Sequence, residues 1–197
     1  MQTTSISFCV YDNLIDFIDR SITNKSPYIL SIDGLCGSGK TTLADYLSTR
    51  FDASIIHMDN FFLPPERKTK ERLLEPGGNI DYERFLEIIV PALKVGKEFS
   101  YTAYNCQSGC FDREIVVKQS KLIIIEGSYS LHEVFGKYYD ASVFLTIPSD
   151  EQLHRLELRC QDEAKFMRFK KEWIPMEQNY HTKQNVTQRS DFIINTK

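Results

Sequence analysis

Apolar residues change their spacing several times along this chain, and each change marks an element. Leu14, Ile15, Phe17, Ile18 and Ile22 recur near the helical period, predicting a leading helix over Tyr11 to Ile22. Tyr28 to Ile32 is a short, mostly apolar run that reads as a buried strand, and Thr42 to Phe51 returns to helical spacing. Ala53 to Met58 reads as a second strand. From Phe61 to Asn79, Pro64, Pro65, Pro76, Gly77 and Gly78 stand among many charges and predict a long loop, functional or mobile. Asp81 suits a helix N-cap, and Phe85, Ile88, Ile89, Ala92 and Leu93 give the following helix one apolar face, with a kink expected at Pro91.

Beyond this helix, "FSYTAY" and "REIVVK" flank a Gly-containing connection and predict a hairpin. "KLIIIEG" is a buried strand ending in an acid, and helix signals return over Ser130 to Phe135. "ASVFLTI" is a further strand, Ser149 to Trp173 reads as mostly helical, and "DFIIN" is a last short strand. Strands alternating with helices predict an α/β fold, a mainly parallel sheet flanked by helices on both faces. Ligands of such sheets bind beyond the carboxyl ends of the strands.

Composition narrows the partners. The 197 residues suit a single domain spanning 1–197, with 42% hydrophobic and 26% charged content. A formal charge of -3 supplies no global positive field for nucleic acid or a membrane surface, so neither is an expected partner. No apolar run approaches membrane-spanning length. Five cysteines in irregular positions, and no signal-peptide pattern, fit reduced thiols and a cytoplasmic location. Cys106 and Cys110 lack a second Cys/His pair at ligand spacing, which argues against zinc.

The chemistry concentrates at Gly34-Leu-Cys-Gly-Ser-Gly-Lys40-Thr41, which satisfies G-x-x-x-x-G-K-[ST] between a predicted strand and a predicted helix. Glycines let the backbone wrap closely, so that successive N–H groups and the helix N-terminus face phosphate oxygens. Gly34, Gly37, Ser38, Gly39, Lys40, Thr41 and Thr42 form the expected nucleotide-binding set, with Lys40 on the β- and γ-phosphates and the Thr41 hydroxyl on Mg²⁺. Cys36 sits inside this loop, either as a thiol activated by the local field or as a passive small residue.

Two acids follow apolar strands and should emerge at the same sheet edge. Glu126 is placed near Mg²⁺ or its water shell. Asp59 is placed to accept or orient the proton of an attacking hydroxyl. Without a catalytic role, each reads as a cap or a surface acid. A GTPase would need N-K-x-D, which is missing, so the pattern favours a small-metabolite kinase using ATP. Arg155 and Arg159, four residues apart on a predicted helix, project from one face toward one anion; the alternative is a surface pair with Glu151.

"SIDGLCGSGKTTLA", "HMDNFF", "GGNIDYERF", "IIIEGSYSL" and "LHRLELRC" occur in this order, and from Tyr28 to Ile194 the chain resembles the uridine kinase and phosphoribulokinase group. The resemblance implies a P-loop kinase fold with a small hairpin insertion and a helical lid near 150–172. It implies ATP and Mg²⁺ as cofactors and a nucleoside or similar small molecule as acceptor. It casts Asp59 as catalytic base, Glu126 as the magnesium-associated acid and Asp81 as a ligand of acceptor hydroxyls. Tyr104 aligns with an aromatic of the acceptor pocket, and Phe62 in "DNFF" joins that set. Arg155 and Arg159 align with lid arginines, and Arg168 is a further lid candidate contacting substrate. His57 and His132 are expected to be structural. Pyrimidine-nucleoside kinases of this group carry a histidine shortly after the aligned tyrosine, whereas "YNCQSGC" has none, and the terminal helix of many relatives is missing here.

Three readings therefore stand. The first is a kinase for uridine or cytidine, and the second a kinase for another nucleoside, a sugar acid or a pantothenate-like acceptor. The third is a nucleotide-binding regulator without acceptor chemistry, against which Asp59 speaks. Pro64 to Gly78 is free to shape the acceptor pocket or to contact a second subunit of a homo-oligomer.

Overall fold

The computed structural model describes residues 11–160 and 162–197. Five strands form one parallel sheet in the order β2-β5-β1-β6-β7: β1 Tyr28–Gly34, β2 Ser54–His57, β5 Leu122–Glu126, β6 Ala141–Thr146 and β7 Phe192–Asn195. β3 Phe99–Asn105 and β4 Cys110–Val117 pair antiparallel as a separate hairpin. The connection from β1 to β2 steps over β5, and the phosphate-type loop leaves the central strand.

Alternation along the strands divides the core between two faces. Leu122 and Ile124 of β5 join Leu30 and Ile32 of β1 beneath α1 (Asp12–Asn24) and α2 (Lys40–Phe51), which contribute Leu14, Ile18, Leu43 and Leu47. Ile123 and Ile125 point the opposite way, toward α4 (Tyr82–Val95) with Phe85, Ile89 and Leu93. Both faces of β1 and β5 are thus covered, as their mostly apolar sequences require.

Three elements differ from the sequence expectation. The 61–79 stretch is not an open loop but holds a 3₁₀ turn at Pro65–Arg67 and a short helix α3, Lys70–Leu74, capped by the Thr69 side chain. Arg72 pins it by donating to the carbonyls of Gly78 and Ile80 and to Glu83. The Ser130 to Phe135 signal yields only a 3₁₀ turn, Glu133–Phe135, in which Phe135 is buried and Val134 exposed. Finally, Ser149 to Trp173 is mostly helical as expected, in α5 (Ser149–Arg159), α6 (Glu163–Arg168) and a π-helical stretch over Phe169–Trp173, but the helices do not stop there. The chain then continues into α7 (Ile174–Lys183) and α8 (Val186–Arg189), which sequence spacing missed.

Candidate active site

The loop between β1 and α2 owes its path to glycine at two positions. Gly34 has φ 146°, and a Cβ there would lie 2.2 Å from the Leu145 carbonyl oxygen of the neighbouring strand, so no side chain fits. Gly39 stands at φ 90° immediately before Lys40, turning the chain into α2 in a left-handed conformation. The result is a tight bend whose following helix directs its N-terminus at the enclosed space, an arrangement suited to a phosphate chain. Lys40 Nζ bridges the bend, donating to the carbonyls of Gly34 at 2.8 Å and Leu35 at 3.0 Å. Ser38 is fully buried, with its hydroxyl left without a hydrogen-bond partner.

Register sets the acidic side of the site. Glu126 closes β5 opposite Ile32 of β1 and His57 of β2, so its carboxylate emerges beside the bend. It lies 3.4 Å from the Thr41 hydroxyl and 2.5 Å from His57 Nδ1. The Glu126 hydrogen bond raises the His57 imidazole above its ordinary range, against the opposing effect of burial. Among the described residues no group of three or more Cys, His, Asp or Glu side chains could hold a metal by itself. Hard oxygen donors from Thr41 and Glu126 do fit Mg²⁺, which keeps several waters and takes its remaining ligands from phosphates.

Asp59 follows β2 in a 3₁₀ turn, Met58–Phe61. Its side chain reaches solvent, yet protein crowds it closely. That crowding first, and the Glu126 charge second, push its carboxyl above the usual range. Lys40, His57 and Arg159 pull in the other direction, which places Asp59 within electrostatic reach of both the bend and α5. Asp59 also lines a cavity of about 340 Å³ with Phe62 on its own side and Tyr104 and Arg113 from the hairpin. The structure thus brings together Asp59, Phe62 and Tyr104, three of the residues expected on the acceptor side.

The other expected residues are placed differently. Asp81 is buried, but one carboxylate oxygen caps α4 through the Arg84 N–H and the other pairs with Arg67 at 2.7 Å. It does not line the cavity. Arg155 holds Glu151 at 2.7 Å, and its remaining nitrogens face the carbonyls of Gly37 and Thr196 at 3.5 and 3.4 Å. Arg159 stacks over Phe169 and acts on Asp59, so the two arginines do not present equivalent free forks. Arg168 is exposed, pairs with Glu172 at 3.5 Å and stacks over Trp173, away from the cavity lining. His132 is buried and bonds the Pro76 carbonyl, in keeping with a structural part.

Cys36 is not activated. Burial first, then the neighbouring Glu177 charge, push its thiol well above the ordinary range, so the field of the bend does not prevail. Thiol counting in the folded protein should accordingly find Cys106 and Cys110, both exposed, reacting before unfolding, and Cys36 reacting only on unfolding. Labelling of Cys36 before unfolding, mapped by peptide mass, would contradict this. Cys9 lies outside the described residues.

Sequence spacing also missed a buried polar centre behind the bend. Asp33 accepts from the N–H groups of Gly34 and Leu131 and from the Tyr180 hydroxyl, with His181 at 3.6 Å. Burial alone would raise its carboxyl, but His181, Lys40 and Tyr180 overcome this and hold it below the usual range. The available signal was one acid inside the mostly apolar β1.

No family model matches the chain. Over 152 residues it is 26% identical to a uridine kinase of Ureaplasma parvum, covering 72% of this chain and 73% of that protein. It is 28% identical over 140 residues to human nicotinamide riboside kinase 1, covering 67% and 65%. Among solved structures, a possible uridine kinase from Bacillus stearothermophilus superimposes with a TM-score of 0.65 at 22% identity, over 92% of this chain and 99% of that one. The chain is thus distantly homologous to uridine kinases, and its fold is like that of the P-loop kinases.

Proposed function

We propose that this chain transfers the γ-phosphoryl group of ATP to a hydroxyl of a small acceptor, with a nucleoside such as uridine or cytidine as the leading candidate. The observation that carries the proposal is the position of Asp59. It lines a cavity walled by Phe62 and Tyr104 while standing within the field of Lys40. An acceptor in that cavity has its hydroxyl held by a carboxylate whose raised affinity for a proton suits a base working near neutral pH. Amides of the bend and Lys40 hold the phosphates, and Asp59 aims the alcohol along the line of attack. Mg²⁺, when bound with the nucleotide between Thr41 and Glu126, would neutralise charge on the β- and γ-oxygens. On this reading residues 1–197 form one kinase domain, with 150–172 as a helical lid.

Within that lid the two arginines are unequal. Arg155 is committed to Glu151 and to carbonyls, whereas Arg159 acts toward Asp59. Arg159→Ala should therefore reduce kcat by about 10²-fold with little change in MgATP affinity, because a cation beside the transferring group acts on the transition state. Arg155→Ala should reduce kcat less. Steady-state kinetics of both variants check this ranking, and the reverse order would contradict it.

A second reading has its own observation. Arg113 lines the acceptor cavity with no carboxylate in ion-pair range among the described residues; it donates to Asn60 Oδ1 at 3.4 Å. Together with the lack of a histidine in "YNCQSGC", this favours an acceptor bearing an anionic group, such as a sugar acid. A coupled ADP-release screen across nucleosides and sugar acids separates the two. Saturable stimulation by uridine or cytidine supports the first, and stimulation by sugar acids alone supports the second. No stimulation by any acceptor, with MgATP still bound, would point to a regulator instead.

A further inference from the structure

The phosphate-type bend is held from behind by one stretch of chain, through every group of Cys36. The Cys36 N–H donates to Glu177 Oε2 at 2.8 Å, and the Cys36 carbonyl accepts from Gln152 Nε2 at 2.9 Å. The thiol side chain packs in a small buried cluster with Leu156 and Phe169. Gln152 belongs to α5 and Glu177 to α7, the helices at the two ends of the 160–173 segment. Cys36, Gln152 and Glu177 are 8%, 4% and 6% exposed, so water does not compete for these bonds. The second Glu177 oxygen accepts from the Ser128 hydroxyl at 2.5 Å, two residues after Glu126. One buried carboxylate thus ties the loop after β1 to the loop after β5.

A buried negative charge behind an anion-binding loop repels the anion and is costly to desolvate. Neither cost serves the fold when a neutral residue could fill the same space, so the geometry Glu177 imposes is the feature to explain. We propose that Glu177 is a positioning residue for phosphate binding. With Gln152 it fixes the Cys36 peptide, sets the direction of the following amides of the bend, and links that direction to the helices flanking the 160–173 segment. The proposal rests on the reading of the bend as the phosphate site.

Glutamine and alanine at position 177 separate geometry from charge. Glu177→Gln keeps an acceptor oxygen for the Cys36 N–H and removes the repelling charge, so MgATP should bind as tightly as to wild type or more tightly. Glu177→Ala leaves the buried Cys36 N–H without its partner, leaves the Ser128 hydroxyl only the Gly34 carbonyl at 3.5 Å and frees the peptide, and a bend misplaced by a fraction of an ångström should bind MgATP on the order of 10- to 100-fold more weakly. The measurement is calorimetric titration of each full-length variant with MgATP, well below its own melting temperature, with thermal melts alongside. A Glu177→Ala protein that melts earlier but binds MgATP like wild type would overturn the proposal and leave Glu177 a purely structural group. Equal weakening in Glu177→Gln and Glu177→Ala would overturn it as well, since the retained oxygen would then have no value. Should Glu177→Ala fail to fold, Gln152→Ala tests the carbonyl side of the same peptide: weaker MgATP binding supports the proposal and unchanged binding overturns it. Wild-type protein that binds no MgATP overturns the phosphate-site reading itself, whereas wild-type binding with indifferent variants overturns this proposal alone.

Discussion

Lys40→Ala should leave a folded protein whose acceptor-dependent turnover is reduced by about 10²–10³-fold or more. Lys40 bridges the bend, with its ammonium 2.8 Å from the Gly34 carbonyl and 3.0 Å from that of Leu35. Those two bonds are the interactions a bound phosphate would compete for, and the loop carries no second side-chain cation to replace them. Alanine keeps helix propensity at the start of α2, so the circular dichroism spectrum should be unchanged. Lys40→Arg should also fail, because a planar fork on a longer stem does not reproduce a compact ammonium inside a tight bend. Steady-state turnover and MgATP titration of both variants check these outcomes, and near-normal turnover in either would contradict them.

Asp59→Asn should retain MgATP affinity and lose rate by about 10²–10⁴-fold, the usual worth of a positioned proton acceptor. Phosphoryl transfer through a loose transition state needs positioning at least as much as basicity. The amide keeps one acceptor oxygen, so whatever rate survives in Asp59→Asn above that of Asp59→Ala measures positioning alone. The pH dependence carries a second signature. Wild-type kcat/KM should fall on the acid side with a midpoint above the ordinary aspartate value, because crowding and Glu126 raise the Asp59 carboxyl. Asp59→Asn should lose that acid limb.

The same shift fixes the sign of the stability effect. A carboxyl raised in the folded state binds its proton more tightly there than in the unfolded chain. Its contribution to stability is therefore fully present below the unfolded value and is lost as pH rises through the folded one. At neutral pH the ionised Asp59 opposes folding, so Asp59→Asn should melt no earlier than wild type. A lower melting temperature would mean that the carboxylate has an unseen stabilising partner.

How much of this was legible in the sequence depends on which physical signal each element carries. β1, β5 and β6 are buried on both faces, and their mostly apolar runs announce them. The glycine-rich bend was readable because its glycines answer steric demands that no other residue meets, as Gly34 against the Leu145 carbonyl makes plain. α7 was missed for the opposite reason. Its buried residues are Glu177, Tyr180 and His181, so the face it turns inward is largely polar and leaves no apolar stripe to count. The 61–79 stretch looked open because its order comes from Arg67 and Arg72 reaching Asp81, Glu83 and carbonyls, pairings that spacing does not encode. For the site, strand ends located Asp59 and Glu126, but only the fold reveals that Asp81 is occupied by Arg67 and that Arg113 joins the cavity.

Both acids and the bend converge because β1, β5 and β2 are adjacent and parallel, and each releases its chain at the same edge. The hairpin contributes Tyr104 and Arg113 from outside the main sheet to the cavity that Asp59 lines. On the proposed function, acceptor choice would rest on the hairpin and the turn after β2, and nucleotide binding on the central strands. Exchanging residues of the hairpin should alter the acceptor without altering affinity for the nucleotide.

The most direct test follows the phosphoryl group itself. In a single turnover with ATP labelled on its γ-phosphate, Mg²⁺ and the acceptor that best stimulates ADP release, the label should pass to the acceptor hydroxyl in wild type and remain on ATP in Asp59→Asn over the same interval. Label appearing in inorganic phosphate at the same rate with and without acceptor, or transferred equally fast by Asp59→Asn, would contradict the account.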